Sequence, residues 1–137
     1  MFERCIYFNL VTLTRKVGRV WQAEFDRLGL SPSHGYLLFA IVERPEAAQK
    51  DLGELLELDA STITRLVEGL EKKGLVEKIS RGKGAKLAVT AAGKRAYFDI
   101  KQVMDALYEG MQKRFGPSHF KNFVNDLSEA KKTVKEG

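Results

Sequence analysis

The run Gln49-Lys-Asp-Leu-Gly-Glu-Leu-Leu-Glu-Leu-Asp-Ala-Ser-Thr-Ile-Thr-Arg-Leu-Val-Glu-Gly-Leu-Glu-Lys-Lys-Gly-Leu-Val76 decides the fold. Its apolar residues recur at helical spacing in two blocks. The first predicts a short helix from Gln49 to Leu56, with Leu52, Leu55 and Leu56 as its inner stripe. The second predicts a helix from Ala60 through Lys73, with Ile63, Leu66, Val67 and Leu70 on one side. Between them lies the turn Glu57-Leu58-Asp59. Asp59 or Ser61 can cap the second helix, and Gly74 can end it. A turn this short sets the second helix across the first, with its N-terminal end projecting outward.

Downstream the period changes. Val76 to Ser80 and Ala85 to Val89 are β-compatible, and Arg81-Gly82-Lys83-Gly84 between them suits a tight hairpin. Thr90 can cap a long helix to about Phe115, Gly116-Pro117 breaks it, and Phe120, Phe123, Val124 and Leu127 mark a last helix. Upstream, Tyr7 to Leu28 reads as a long amphipathic helix stopped by Gly29. Ser31-Pro32 opens another helix, apolar on all sides over Leu37–Val42 and therefore expected to be buried. The order helix, short helix, turn, helix, hairpin is a winged helix-turn-helix. The fold class expected is mostly α with a small β-hairpin wing, flanked by N- and C-terminal dimerisation helices. Residues 1–137 form one domain, with a winged helix over 31–90 and helical dimerisation regions over 1–30 and 91–137. The apolar stripes of the flanking helices lack partners within the winged unit, and a two-fold homodimer would cover them.

At 137 residues and 44% apolar, the chain can bury an ordinary single core. The longest apolar run, Tyr36 to Val42, is far too short to span a membrane, and the early Glu3, Arg4 and Asn9 argue against a secretion signal. With Cys5 the single cysteine and His34 and His119 the only histidines, neither a disulfide nor a zinc site is expected. The expected compartment is a reducing cytoplasm. There is no nucleophile elbow, phosphate loop or metalloprotease motif, so no catalytic residues and no cofactor are expected.

The formal net charge is +5. Between Ala60 and Lys86, seven cations (Arg65, Lys72, Lys73, Lys78, Arg81, Lys83, Lys86) face three carboxylates (Glu68, Glu71, Glu77), so most of the excess is local. At 100° per residue, Ser61, Arg65, Glu68 and Lys72 oppose the apolar side of the second helix, and Thr62 and Thr64 flank them. Small hydroxyls and one arginine suit the major groove of double-stranded DNA, where Arg65 can fork onto guanine. A basic hairpin can reach the backbone or the minor groove. A solvated basic face is the plainer alternative, and a winged helix can also serve as a protein-interaction module without specific DNA binding.

The stretches Leu30-Ser-Pro-Ser-His-Gly-Tyr-Leu-Leu38, Gln49 to Leu56, Asp59 to Val76 and Val89-Thr-Ala-Ala-Gly93 resemble the MarR family of transcriptional regulators over nearly the whole chain. The resemblance implies a homodimeric regulator, by family habit a repressor, on a pseudo-palindromic operator, controlled by a small lipophilic or phenolic effector or by cysteine oxidation. By it, Ser61, Thr62, Thr64 and Arg65 take recognition-helix contact positions, Gln49 and Lys50 the backbone-contacting start of the preceding helix, and Arg81 and Lys83 the wing tip, with Lys86 also basic on the hairpin. Three departures stand out. The wing is short and lacks the family's aspartate, Glu57 stands where glycine is common and a left-handed residue would be strained, and Gly69 replaces a common basic residue. Trp21, His34 and Leu37 are candidates for an effector cleft between the first two helices and the dimer region. Cys5, beside Arg4 near the first helix start, is the candidate for a redox-sensing alternative, against the plainer reading of a small apolar residue.

Overall fold

The computed structural model describes residues 1–80 and 84–134. The hairpin-tip candidates Arg81 and Lys83 lie outside the described residues. After a 3₁₀ turn over Phe2–Arg4 come α1 (Ile6–Asp26), α2 (Pro32–Glu43), α3 (Gln49–Leu56), α4 (Ala60–Lys72), β1 (Val76–Lys78), β2 (Leu87–Val89), α5 (Ala91–Phe115) and α6 (Pro117–Thr133). No helix is long and apolar enough to cross a membrane among the described residues. The chain divides into two compact units, residues 1–103 and 104–137, with the boundary inside α5.

The first unit is built around α2 and α4. On α2, Leu37, Leu38, Ala40 and Ile41 are buried, which is why this helix is apolar on several sides. On α4, Ile63, Leu66, Val67 and Leu70 are buried, each worth about 1.5–3 kcal/mol relative to exposure. Phe25 of α1 fits against Gly35, where a Cβ would stand 2.2 Å from the ring. Glycine is therefore what lets α1 approach α2 here. The ends of these helices follow local chemistry. Ser31 accepts from the His34 N–H at 3.2 Å with Pro32 at the first helical position, and Gly29 and Gly74 take positive φ after α1 and α4.

The inner face of α3 differs from the periodic expectation. Leu52 is buried, but Leu55 is 46% exposed, and Gly53 takes an inner position instead. A Cβ at Gly53 would meet Ile63 Cγ1 at 3.2 Å and the Leu58 carbonyl at 3.3 Å, so α3 meets α4 across this glycine. Glu57 then carries the left-handed conformation that the turn requires, at φ 55° and ψ 44°. This is a strained position for a residue with a Cβ. Asp59, rather than Ser61, caps α4.

β1 and β2 pair antiparallel with Val76 opposite Val89 and Lys78 opposite Leu87, a shorter ladder than the sequence pattern predicts. The Ile79 N–H still donates to the Lys86 carbonyl at 2.9 Å, and Ala48 bridges Lys86 on the other side. The Gln49 N–H donates to the Ala85 carbonyl at 2.8 Å, so the start of α3 is tied to the hairpin. Thr90 accepts from the Gly93 N–H at 3.0 Å and donates to the Gly74 carbonyl at 2.6 Å, clasping the start of α5 to the end of α4.

In the second unit, Gly116 (φ 85°) turns the chain and Pro117 opens α6. Phe115 lies 5.6 Å from both Phe120 and Phe123, ring centre to ring centre, and Tyr108 meets Phe120 edge-on at 5.6 Å.

Two outcomes follow from these contacts. A Cβ at Gly93 would stand 2.1 Å from the Leu75 carbonyl oxygen and 2.6 Å from Val89 Cγ2. Gly93→Ala should therefore destabilise the protein by about 1–3 kcal/mol in denaturant unfolding. The Thr62 backbone N–H and then the Ser61 hydroxyl hold the Asp59 carboxyl below its ordinary pKa. The stability Asp59 contributes is present above that ordinary value and lost as pH falls through the lowered one. Asp59→Ala should lower the thermal midpoint at neutral pH, and the gap to wild type should close in acid.

Candidate nucleic-acid interface

The buried stripe of α4 orients its opposite face. Ser61, Arg65, Glu68 and Lys72 are all exposed there, as helical geometry requires once Ile63, Leu66, Val67 and Leu70 point inward. The N-terminal end of α4 is organised by short hydrogen bonds. Asp59 Oδ1 accepts from the Thr62 N–H at 2.8 Å and from the Ser61 hydroxyl at 2.9 Å. The Thr64 hydroxyl donates to the Ala60 carbonyl at 2.9 Å and accepts from Gln49 Nε2 at 3.2 Å. Gln49 and Thr64 are thereby brought together, and α3 and α4 present one joined polar edge. Gln49 Oε1 is enclosed and lacks a hydrogen-bond partner among the described residues. Lys50, beside it, is exposed.

The hairpin stands next to this edge. A concave space of about 1050 Å³ lies between α3, α4 and β1, with Gln49, Lys50, Thr64, Lys78 and Ile79 in its walls. Lys78 Nζ pairs with Glu71 at 3.6 Å, which offsets the charge of a carboxylate that would otherwise oppose a polyanion. The Lys86 ammonium donates to the Glu46 carbonyl while the Lys86 N–H donates to Ser80 Oγ at 3.0 Å. Lys86 thus braces the hairpin against the segment before α3. Ile79, 69% exposed, is an apolar residue on this surface that the charge pattern does not reveal.

The remaining candidates are not gathered at one place. Trp21 of α1 is half-buried and its Nε1 donates to the Tyr36 hydroxyl at 3.1 Å, while the Tyr36 ring stacks 6.1 Å from Phe25. Tyr36 is a residue that sequence reasoning missed. Its partner lies fifteen positions away on another helix, beyond any local signal. Leu37 is fully enclosed in the core. His34 is turned toward α4, where its Nε2 would stand 2.5 Å from a Cβ at Gly69. Burial first, and the Lys73 charge second, hold its pKa below the ordinary histidine value. Cys5 is half-buried at the N-cap of α1, its Sγ accepting from the Phe8 N–H at 3.4 Å. No group of three or more metal-ligating side chains occurs among the described residues.

Comparison with known proteins agrees with this architecture. Residues 28–86, from just after α1 to just before β2, match the sequence profile of the MarR family. The chain is 27% identical over 95 residues to the HTH-type transcriptional regulator BilQ of Clostridioides difficile. That match covers 67% of this chain and 64% of the relative, so the chain spans a little under two thirds of that protein. Among solved structures, CouR from Rhodococcus jostii bound to p-coumaroyl-CoA superposes with a TM-score of 0.81 at 25% identity, covering 99% of each chain. The S. aureus MepR–DNA complex superposes with a TM-score of 0.84 at 12% identity, over 98% of this chain and 100% of that one, and shows the shared fold. The matched segment holds the helix-turn-helix and the first strand of its hairpin, and it is in this segment that the chain is similar to the MarR family of transcription regulators.

Proposed function

We propose that the protein is a homodimeric repressor that binds a pseudo-palindromic DNA operator and is released by a small lipophilic or phenolic effector. The observation that carries the DNA reading is the outer face of α4. Arg65 and Ser61 are exposed on its first turns, Asp59 and Gln49 lock the hydroxyls around them, and Lys50, Lys78 and Lys86 surround the same edge. In this reading Arg65, with Thr62 and Thr64, reads base edges, while Gln49, Lys50, Ser61 and the basic residues of the hairpin, Arg81, Lys83 and Lys86, position the protein on phosphates. The MepR comparison is a complex with DNA and supports the same use of the fold.

The homodimer is supported by what each unit leaves uncovered. In the first unit Phe2, Ile6, Tyr7, Leu10 and Phe98 are exposed, and in the second Tyr108, Val124 and Leu127. Apolar exposure on this scale marks an interaction surface. A two-fold dimer through these residues would space two copies of α4 about 34 Å apart, one turn of DNA. The effector reading rests on Trp21 and Tyr36, an aromatic pair with a phenolic hydroxyl beside Phe25, and on the relative solved with p-coumaroyl-CoA.

Binding to a panel of duplexes tests the division of labour. Arg65→Ala should cost about 1–3 kcal/mol and relax the preference at one position per half-site. Lys50→Ala should weaken all duplexes alike and flatten the log–log salt slope by about one. Equal losses on every duplex for Arg65→Ala would overturn this division of roles and make Arg65 a phosphate contact. Light scattering at micromolar concentration should give twice the mass of the 15.4 kDa chain, and a monomer mass would remove the dimer.

A further inference from the structure

Gly69 sits inside α4, the helix assigned to DNA, and its place is taken by a side chain from another helix. An ideal Cβ at residue 69 would lie 2.5 Å from His34 Nε2 and 3.1 Å from Cδ2. The imidazole therefore occupies the space in which any other residue of α4 would carry its own side chain. Glycine in a helix interior is unfavourable relative to alanine, so the seat has a cost that the contact must offset. The ring is held from the other side by Ser31. Its Oγ accepts from the His34 N–H at 3.2 Å and stands 2.6 Å from Nδ1. An oxygen already accepting from the backbone can give its own hydrogen to Nδ1. This favours the neutral tautomer with hydrogen on Nε2, the nitrogen that faces α4.

We propose that His34 is a positioning residue for the recognition helix, a wedge clamped between Ser31 and Gly69, and that its protonation loosens α4 and weakens operator binding. A proton on Nδ1 would confront the hydroxyl hydrogen of Ser31 and force that group to turn. It would also place a cation in a half-buried site beside Lys73, the charged group on α4 that acts on the ring. Within α2 the ionisable groups besides His34 are Tyr36 and Glu43, the latter at the far end and accepting from the Tyr97 hydroxyl. At the end of α1 the nearest charges in sequence are Arg27, which pairs with Glu24 at 3.3 Å, and Asp26, which accepts from Gln22 Nε2 at 2.6 Å. The neutral form is thus favoured in the fold by burial first and by Lys73 second. The contribution of the wedge is present above the ordinary histidine pKa and lost as pH falls through the lowered one.

The inference rests on the DNA-binding reading, and the test separates the two. Affinity for a duplex selected from a random pool is measured from about pH 8 to about pH 5. Wild-type affinity should fall by about tenfold more than that of His34→Gln, whose amide does not titrate. His119→Gln, altering an exposed histidine outside the wedge, should keep the wild-type profile. Parallel profiles for wild type and His34→Gln, or a wild-type affinity that rises in acid, would overturn the proposal. Thermal unfolding supplies a readout without DNA. Gly69→Ala should lower the midpoint in the wild-type background and raise it in the His34→Ala background, where the seat is empty. Equal effects in both backgrounds would also overturn the proposal. Failure to select any duplex would instead refute the DNA reading and the operator half of this inference, while the thermal cycle still decides the clamp.

Discussion

Burial of one side of α4 is the constraint on which the rest depends. Ile63, Leu66, Val67 and Leu70 leave that helix a single orientation against α2 and α3, and the orientation exposes Ser61 and Arg65. The polarity of those two residues suits them to solvent but does not by itself fix which side of the helix faces out. They are displayed because helical periodicity places them opposite a stripe that water excludes. The pronounced amphipathicity of α4 and the uniform apolarity of α2 are two halves of one solution, since a buried helix is what lets a neighbouring helix be half exposed.

The ends of α4 are then held by a few directional contacts. At its start, Asp59 gathers the Thr62 N–H and the Ser61 hydroxyl, and Glu57 accepts a left-handed backbone to make the turn fit. At its end, the Gly74 carbonyl is taken by Thr90, so that the close of α4 and the start of the long α5 share one hydroxyl. The hairpin is joined to α3 through the Ala48–Lys86 bridge and the Gln49 N–H. One chain of contacts thus joins the hairpin to the start of α3 and, through Gln49 and Thr64, to α4.

Much of this was legible in the sequence because it is local. The Asp59 cap, the Ser31-Pro32 start, the glycine stops and the Gly116-Pro117 break each depend on residues within a few positions of one another. The strain at Glu57 was legible only through the family resemblance, which puts glycine at that turn position. The misses are long-range. Leu55 fits the inner stripe of α3 by spacing, but eight residues make barely two turns, and the close approach of Ile63 at Gly53 decides the face instead. The Trp21–Tyr36 hydrogen bond and the seat of His34 on Gly69 depend on how α1, α2 and α4 cross, which no local pattern encodes. By family resemblance Gly69 reads only as a missing cation, and the structure shows the His34 ring in the space it leaves.

Charge and shape act together at this surface. The basic excess is concentrated on α4 and the hairpin, Glu71 is paired with Lys78, and the exposed arginine of α4 stands among hydroxyls held in fixed orientations. Such a surface discriminates among DNA sequences only if α4 reaches base edges, because phosphate contacts alone carry no sequence information. Selection of bound duplexes from a random library, at low and at physiological salt, measures that directly. The account predicts enrichment of a two-fold symmetric site whose half-sites lie about one helical turn apart and whose preference survives physiological salt. Binding that enriches no sequence and disappears as salt rises would contradict it, leaving a basic patch without a reading helix.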